Sequence, residues 1–321
     1  MNTLFMIGNG FDLNCGLKTS YINVYDEYVN TNSSSNVIKK FKNDIKIDYK
    51  NWSDFEIGMS KYALELDTEL DFIECVDDFR SFLKAYLEKE EKEYMDFVAH
   101  ISTTDKINAE VISSLQTFYE GITKNINSKM DYRNAGELRS IHFVSFNYTT
   151  ILDHFINEAY KDIHGYTPSV LHIHGTLDDL TLGIDNEEQL STIFPITNSS
   201  RRCFIKPFFN EEYDSQRISS AISEINNANT ICIYGMSLGD SDLTWRNKLI
   251  DWLRNSSSNH LFIYDHSLVD YRTDIIHKRM AIEEKAKIQL LENWSVSEYD
   301  NFFNRLHIVC GRNIFNISQY V

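Results

Sequence analysis

Residues 2–16 read NTLFMIGNGFDLNCG. An apolar run from Thr3 to Ile7 climbs directly into Gly8-Asn9-Gly10, and the residues after Asp12 start a helical pattern. A strand buried on both faces, closed by a flexible turn and followed by a helix, is the opening of a parallel α/β unit. Two readings of the glycines stand side by side. In one, the turn amides and the helix N-terminus behind them hold a pyrophosphate. In the other, the turn needs a positive φ that glycine adopts without cost. The full dinucleotide fingerprint is not present, because Leu13 stands where a third glycine belongs.

Outward from this strand, four further short β-rich runs follow: Ser140–Asn147 (SIHFVSFN), Ser169–Gly175 (SVLHIHG), Asn229–Ser237 (NTICIYGMS) and Asn259–Asp265 (NHLFIYD). Helical patterns separate several of them, as at Asp242 to Leu253. Strands apolar on both faces that alternate with helices predict an α/β fold with a parallel sheet flanked by helices. Between the first run and the second, about Ser20 to Asp131, the chain reads as mostly helical. Trp52, Phe55, Met59, Tyr62 and Leu66 recur at three-four spacing. So do Phe72, Val76, Phe79, Leu83 and Tyr86, and then Ile107, Val111, Leu115, Phe118, Ile122 and Ile126. The polar stretch Thr31 to Asn36 reads as a loop. Residues 20–131 are thus expected to be a helical insertion, or cap, within a single 1–321 domain.

The 321 residues are 42% apolar and 13% aromatic, enough for a sizeable core, while three prolines and twelve glycines disfavour a linker-rich or all-β chain. A net charge of −16 repels nucleic-acid phosphates and disfavours general nucleic-acid binding. Asp54 to Asp96 carries 14 acidic and 5 basic residues; a solvated helical face is the ordinary reading, a docking surface for a basic partner the sharper one. Cys15, Cys75, Cys203, Cys232 and Cys310 are odd in number, widely spaced and never C-x-x-C, which fits a reducing compartment and gives no structural zinc site. The N-terminus lacks a basic region and a long apolar stretch, so neither a signal peptide nor a membrane span is expected and the location is read as cytoplasmic.

In open parallel sheets ligands bind at the carboxyl ends of strands. There the runs end in Gly8 to Asp12, in Asn147-Tyr148-Thr149, in His172-Ile173-His174, and in Gly235, Ser237, Asp240 and Asp242. Asn147 reads as a helix cap or as an amide holding a ribose hydroxyl or a water. His172 and His174 share a face if their strand is regular; structural histidines, a metal pair without a third ligand, and a general base all remain open. His174, at the strand end, is the better-placed base. Asp240 and Asp242 cap the next helix or face the cleft. Ser237 donates to a phosphate or turns the chain. In NWSDFE, Trp52 and Phe55 read as core, and Glu56 as surface or as a group projecting into the cleft.

The ordered set FMIGNGFDLNCGLKTSY, NWSDFE, VSFNYT, LHIHGTL and IYGMSLGDSD, spanning Phe5 to Asp242, resembles the bacteriophage abortive-infection AbiH family. That family in turn resembles, distantly, the sirtuin-like NAD-binding domains of anti-phage effectors. The resemblance implies a Rossmann-like, sirtuin-like fold and an NAD glycohydrolase that depletes NAD. NAD would be a consumed substrate, with no recycled cofactor and no metal. The other reading is a non-catalytic nucleotide-binding sensor. A second copy of the chain, or a phage or defence protein, is an expected partner. The resemblance makes Asn147 and His174 catalytic, and gives nucleotide binding to Gly8, Asn9, Gly10, Phe11, Asp12, Gly235, Ser237 and Asp242. Thr149 stands where those relatives often have Asp, and the zinc-ribbon cysteines of protein deacetylases are missing, which disfavours deacylation.

Overall fold

The computed structural model describes residues 2–121, 140–161, 168–213, 215–239, 242–269, 275–297, 299–309 and 313–321. Six strands, β1 (Asn2–Ile7), β2 (Ser140–Ser145), β3 (Val170–His172), β4 (Thr230–Tyr234), β5 (His260–Tyr264) and β6 (Leu306–Val309), form one sheet in the order β3-β2-β1-β4-β5-β6. Every pairing is parallel; Phe5 of β1 lies level with Phe143 of β2 on one side and Cys232 of β4 on the other. The fold is α/β and Rossmann-like. The five apolar runs read from sequence each supply a strand, shortened at their polar ends, and β6 is an addition.

Strand side chains alternate between two cores, as the period of two requires. Phe5, Ile7, Phe143, Cys232, Tyr234 and Phe262 face a core closed by α1 (Gly10–Cys15), α6 (Thr104–Thr117), the Ile151–Tyr160 helix and residues near Phe315. Leu4, Met6, Val144, Ile231, Ile233 and Leu261 face the other, closed by the helices Ser215–Asn227, Leu243–Asn255 and Ile276–Asn293. None of the helices among the described residues is long and apolar enough to cross a membrane.

A third core lies off the sheet. Helices α2 (Tyr21–Tyr28), α3 (Asn36–Ile47), α4 (Phe55–Tyr62) and α5 (Glu69–Val98) enclose Val24, Phe41, Trp52, Phe55, Phe72 and Phe79, together with Leu182 and Phe204 from a later segment. The three-four stripes from Trp52 to Tyr86 are the apolar faces that meet here, although Trp52 precedes α4 and Leu66 follows a short 3-10 turn. The loop read at Thr31 to Asn36 separates α2 from α3. Ile122 and Ile126 lie outside the described residues, as does Cys310. The 30 residues of α5, about 45 Å long, contribute Phe72 to Leu87 to this cap core and Val98 to the sheet core. One rigid helix therefore fixes the cap against the sheet. Phe55 stacks on Phe79 with ring centroids 3.9 Å apart. Phe55→Ala should cost about 3–5 kcal/mol, read from the urea midpoint. A loss below 1 kcal/mol would show that this core is not tightly packed.

Candidate functional site

The strand order reverses between β1 and β4, and crevices form at such points, outside the carboxyl ends of the strands. A cavity of about 530 Å³ opens there, roofed by the cap. Its lining includes Gly8, Asn9, Asp12, Asn147, Thr149, His174, Gly235, Ser237 and Asp242 from the sheet side, and Tyr21, Asp54, Glu56 and Lys206 from the cap side. Asn147 and His174 therefore share one cavity. Gly10 and Phe11 do not line it. Phe11, the second residue of α1, turns into the sheet core against Phe315 and Phe155. Asp240 lies outside the described residues.

The two glycines of the turn have engaged amides and ordinary φ values. The Gly8 amide donates to the Tyr234 carbonyl and the Gly10 amide to the Gly235 carbonyl, both at 2.9 Å. Neither is free for a phosphate. Neither glycine has a positive φ; that conformation belongs to Gly235, at φ +72°. A Cβ on Gly8 would lie 2.6 Å from the Gly235 oxygen, and one on Gly10 2.5 Å from the Gly235 Cα. The three glycines let two backbones touch where β1 and β4 end. Asn9 completes the turn: its amide donates to the Thr19 carbonyl at 2.9 Å and its oxygen accepts from the Thr19 hydroxyl at 2.6 Å.

Asp12 is 1% exposed. Its carboxyl accepts from Asn147 Nδ2 at 2.9 Å and from the Thr149 hydroxyl at 2.6 Å. With its Nδ2 committed to Asp12, Asn147 has a fixed amide, and its buried Oδ1 has no partner among the described residues. An aspartate at position 149 would set two carboxyls against each other, so Thr149 is the complement of Asp12. Burial raises the Asp12 pKa to about 7, against the two hydrogen bonds that lower it. Because the folded value lies above the ordinary 3.8, Asp12 adds stability that is present below pH 4 and lost as pH rises through about 7. The urea stability of Asp12→Asn relative to wild type should therefore rise, by on the order of 1–3 kcal/mol, between pH 4 and pH 8. A difference flat with pH would contradict this.

The two histidines part where β3 ends at His172. His172 Nδ1 sits 2.9 Å from the Asn147 carbonyl and Nε2 2.8 Å from Asp153. Burial lowers its pKa, but Asp153 and that carbonyl outweigh it and hold the ring above its ordinary value. His172 is thus a brace for the backbone of Asn147. His174 lies edge-on to Phe146, 5.4 Å between centroids, and lines the cavity. Burial, and then the charge of Lys206, hold it well below its ordinary value despite a hydrogen bond to the Phe146 backbone. Its protonated form is disfavoured there, so the ring is a neutral imidazole at neutral pH.

Asp242 occupies the N-cap position of the Leu243–Asn255 helix but makes no capping bond. Its side chain serves the cavity, where burial raises it to about 6. Glu56 is buried and raised to about 7, also by burial, with Lys206 and Tyr21 pulling the other way. Burial lowers Lys206, but Asp185, Glu56, Asp242 and Asp54 outweigh it and hold the ammonium above its ordinary value. Sequence reading missed Lys206, Tyr21 and Asp54. The one cue for Lys206 is a lysine set among apolar residues in CFIKPFF.

No curated protein matches this chain. A family model described as bacteriophage abortive infection AbiH matches residues 4–264. That match runs from β1 to the end of β5 and takes in the cap and every strand end that lines the cavity. The chain belongs to the AbiH family of bacteriophage abortive infection.

Proposed function

We propose that the protein is an abortive-infection effector that hydrolyses the nicotinamide–ribose bond of NAD. One observation carries this reading: an asparagine with a fixed amide and an unpartnered oxygen, and a histidine kept neutral, line the same cavity at the sheet's switch point. Its volume, about 530 Å³, falls in the range of about 300–1,000 Å³ usual for ligand sites. Nicotinamide leaves as a neutral base, so the bond breaks without strong acid help. The barrier lies in forming an oxocarbenium-like ribose and delivering water to it. His174 takes the proton from that water, the water oxygen bonds to the ribose carbon, and nicotinamide departs with the electron pair of the broken bond. Asn147 Oδ1 accepts from the water or from a ribose hydroxyl and fixes its position. The products are nicotinamide, ADP-ribose and a proton. With the Gly8 and Gly10 amides bonded to Tyr234 and Gly235, the pyrophosphate falls to the exposed Ser237.

Incubating the purified protein with NAD and following free nicotinamide tests the reading. Release that grows with protein concentration supports it. Intact NAD that nevertheless binds in the cavity would replace it with the sensor reading, in which the nucleotide is held and not cut.

A further inference from the structure

The cap, and the later segment packed on it, contribute their own polar groups to the cavity, and the hydrolytic step above does not use them. Lys206 is the one cation among the lining residues. Its ammonium lies 3.8 Å from Asp185 and also feels Glu56, Asp242 and Asp54. Four carboxyl groups thus share one positive charge. Two buried acceptors, Asn147 Oδ1 in the cavity lining and Asp185 Oδ2 on the carboxyl beside Lys206, have no partner among the described residues. An interior with surplus acceptors favours a ligand that arrives with hydrogen-bond donors, since unmet buried acceptors are costly.

Glu56 is the best anchored of these groups. Asp54 caps α4, its side chain accepting from the Ile57 amide at 3.0 Å. Trp52 and Phe55 lock the start of the helix into the cap core, and Gly58 leaves room for the Trp52 ring, which a Cβ there would meet at 2.6 Å. Glu56 is 7% exposed, and its Oε2 accepts from the Tyr21 hydroxyl at 3.0 Å. The carboxyl is therefore held facing the cavity by two helices.

We propose that Glu56 binds the vicinal hydroxyls of the ribose whose glycosidic bond is broken, with Tyr21 as its positioning residue. This rests on the reading of the cavity as an NAD site. A cis-diol offers two O–H donors side by side, which match a carboxylate and supply what the surplus acceptors lack. The cap then does more than cover the site. It grips the reacting sugar from the side opposite the sheet, while Asn147 and His174 act from the strand ends.

Calorimetric binding to the His174→Ala protein, in which cleavage is expected to be about a hundredfold slower, separates the outcomes. The ligands are NAD and its analogue lacking both hydroxyls on the nicotinamide ribose. Adding Glu56→Gln at pH 8, where the wild-type carboxyl is ionised, keeps the shape but exchanges a charged acceptor for a donor and should weaken NAD binding about tenfold or more. It should leave the dideoxy analogue within about twofold. Tyr21→Phe should weaken NAD selectively and by less. An equal loss for both ligands, or no loss for either, overturns the assignment of Glu56. Failure of the His174→Ala protein to bind NAD at all overturns the NAD reading itself, and the Glu56 assignment with it.

Discussion

His174→Ala is expected to lower nicotinamide release from NAD by about a hundredfold or more, while the urea midpoint stays close to that of the wild type. The ring's hydrogen bond is to the Phe146 backbone alone, whereas His172 braces the Asn147 backbone and pairs with Asp153. Its packing is an edge contact with Phe146 and a looser one with Tyr148. Truncation removes the base without opening a core. The pH profile carries a second signature. A base held well below its ordinary value remains available as the solution is acidified, so an acidic limb near pH 7 should belong to Glu56 and disappear in Glu56→Gln. His172→Ala makes the contrast, because it should lose stability as well as activity. Equal activity in His174→Ala and wild type would remove the imidazole from the mechanism.

Gly10→Ala and Gly235→Ala are expected to cost roughly 3 kcal/mol or more each, enough to leave much of the protein unfolded or insoluble. At Gly10 the added carbon meets the Gly235 Cα at 2.5 Å. At Gly235 it meets the Phe11 nitrogen at 2.7 Å, on a backbone already at φ +72°. Both obstacles are main chain at the ends of neighbouring central strands and cannot swing aside as a side chain would. Gly239→Ala is the control: among the described residues its Cβ would meet nothing nearer than 3.5 Å, so the change should be close to neutral. Denaturant unfolding of the three variants reads the ranking. If Gly10→Ala stayed fully stable and lost only nucleotide binding, the turn would be a phosphate cradle after all.

The sheet was legible because burial on both faces leaves a plain trace: runs such as TICIY have no polar side to hide. The six-stranded order was not, since nothing local says which strands meet, and β6 is four residues long with a histidine inside it. The glycine turn shows the limit well. Gly8 and Gly10 were visible, but their reason, Gly235, lies far along the chain at the end of another strand. Asp12, Asn147 and Thr149 stood out singly by residue type and position. Their hydrogen-bonded union appears only when β1 and β2 pair in register. Glu56 was visible as a question, because a carboxylate beside Trp52 and Phe55 on a helical pattern can face either way. Lys206 was hidden, since a buried lysine is exceptional and only its carboxylate neighbours explain it.

The most direct measurement is a crystal structure of the His174→Ala protein with NAD. The account predicts the nicotinamide ribose in the cavity between β1 and β4, one oxygen within hydrogen-bonding distance of Asn147 Oδ1 and the bond to nicotinamide facing the space the imidazole vacated. NAD bound elsewhere with this cavity empty, or lying in it with the nicotinamide ribose beside Ser237, would contradict it.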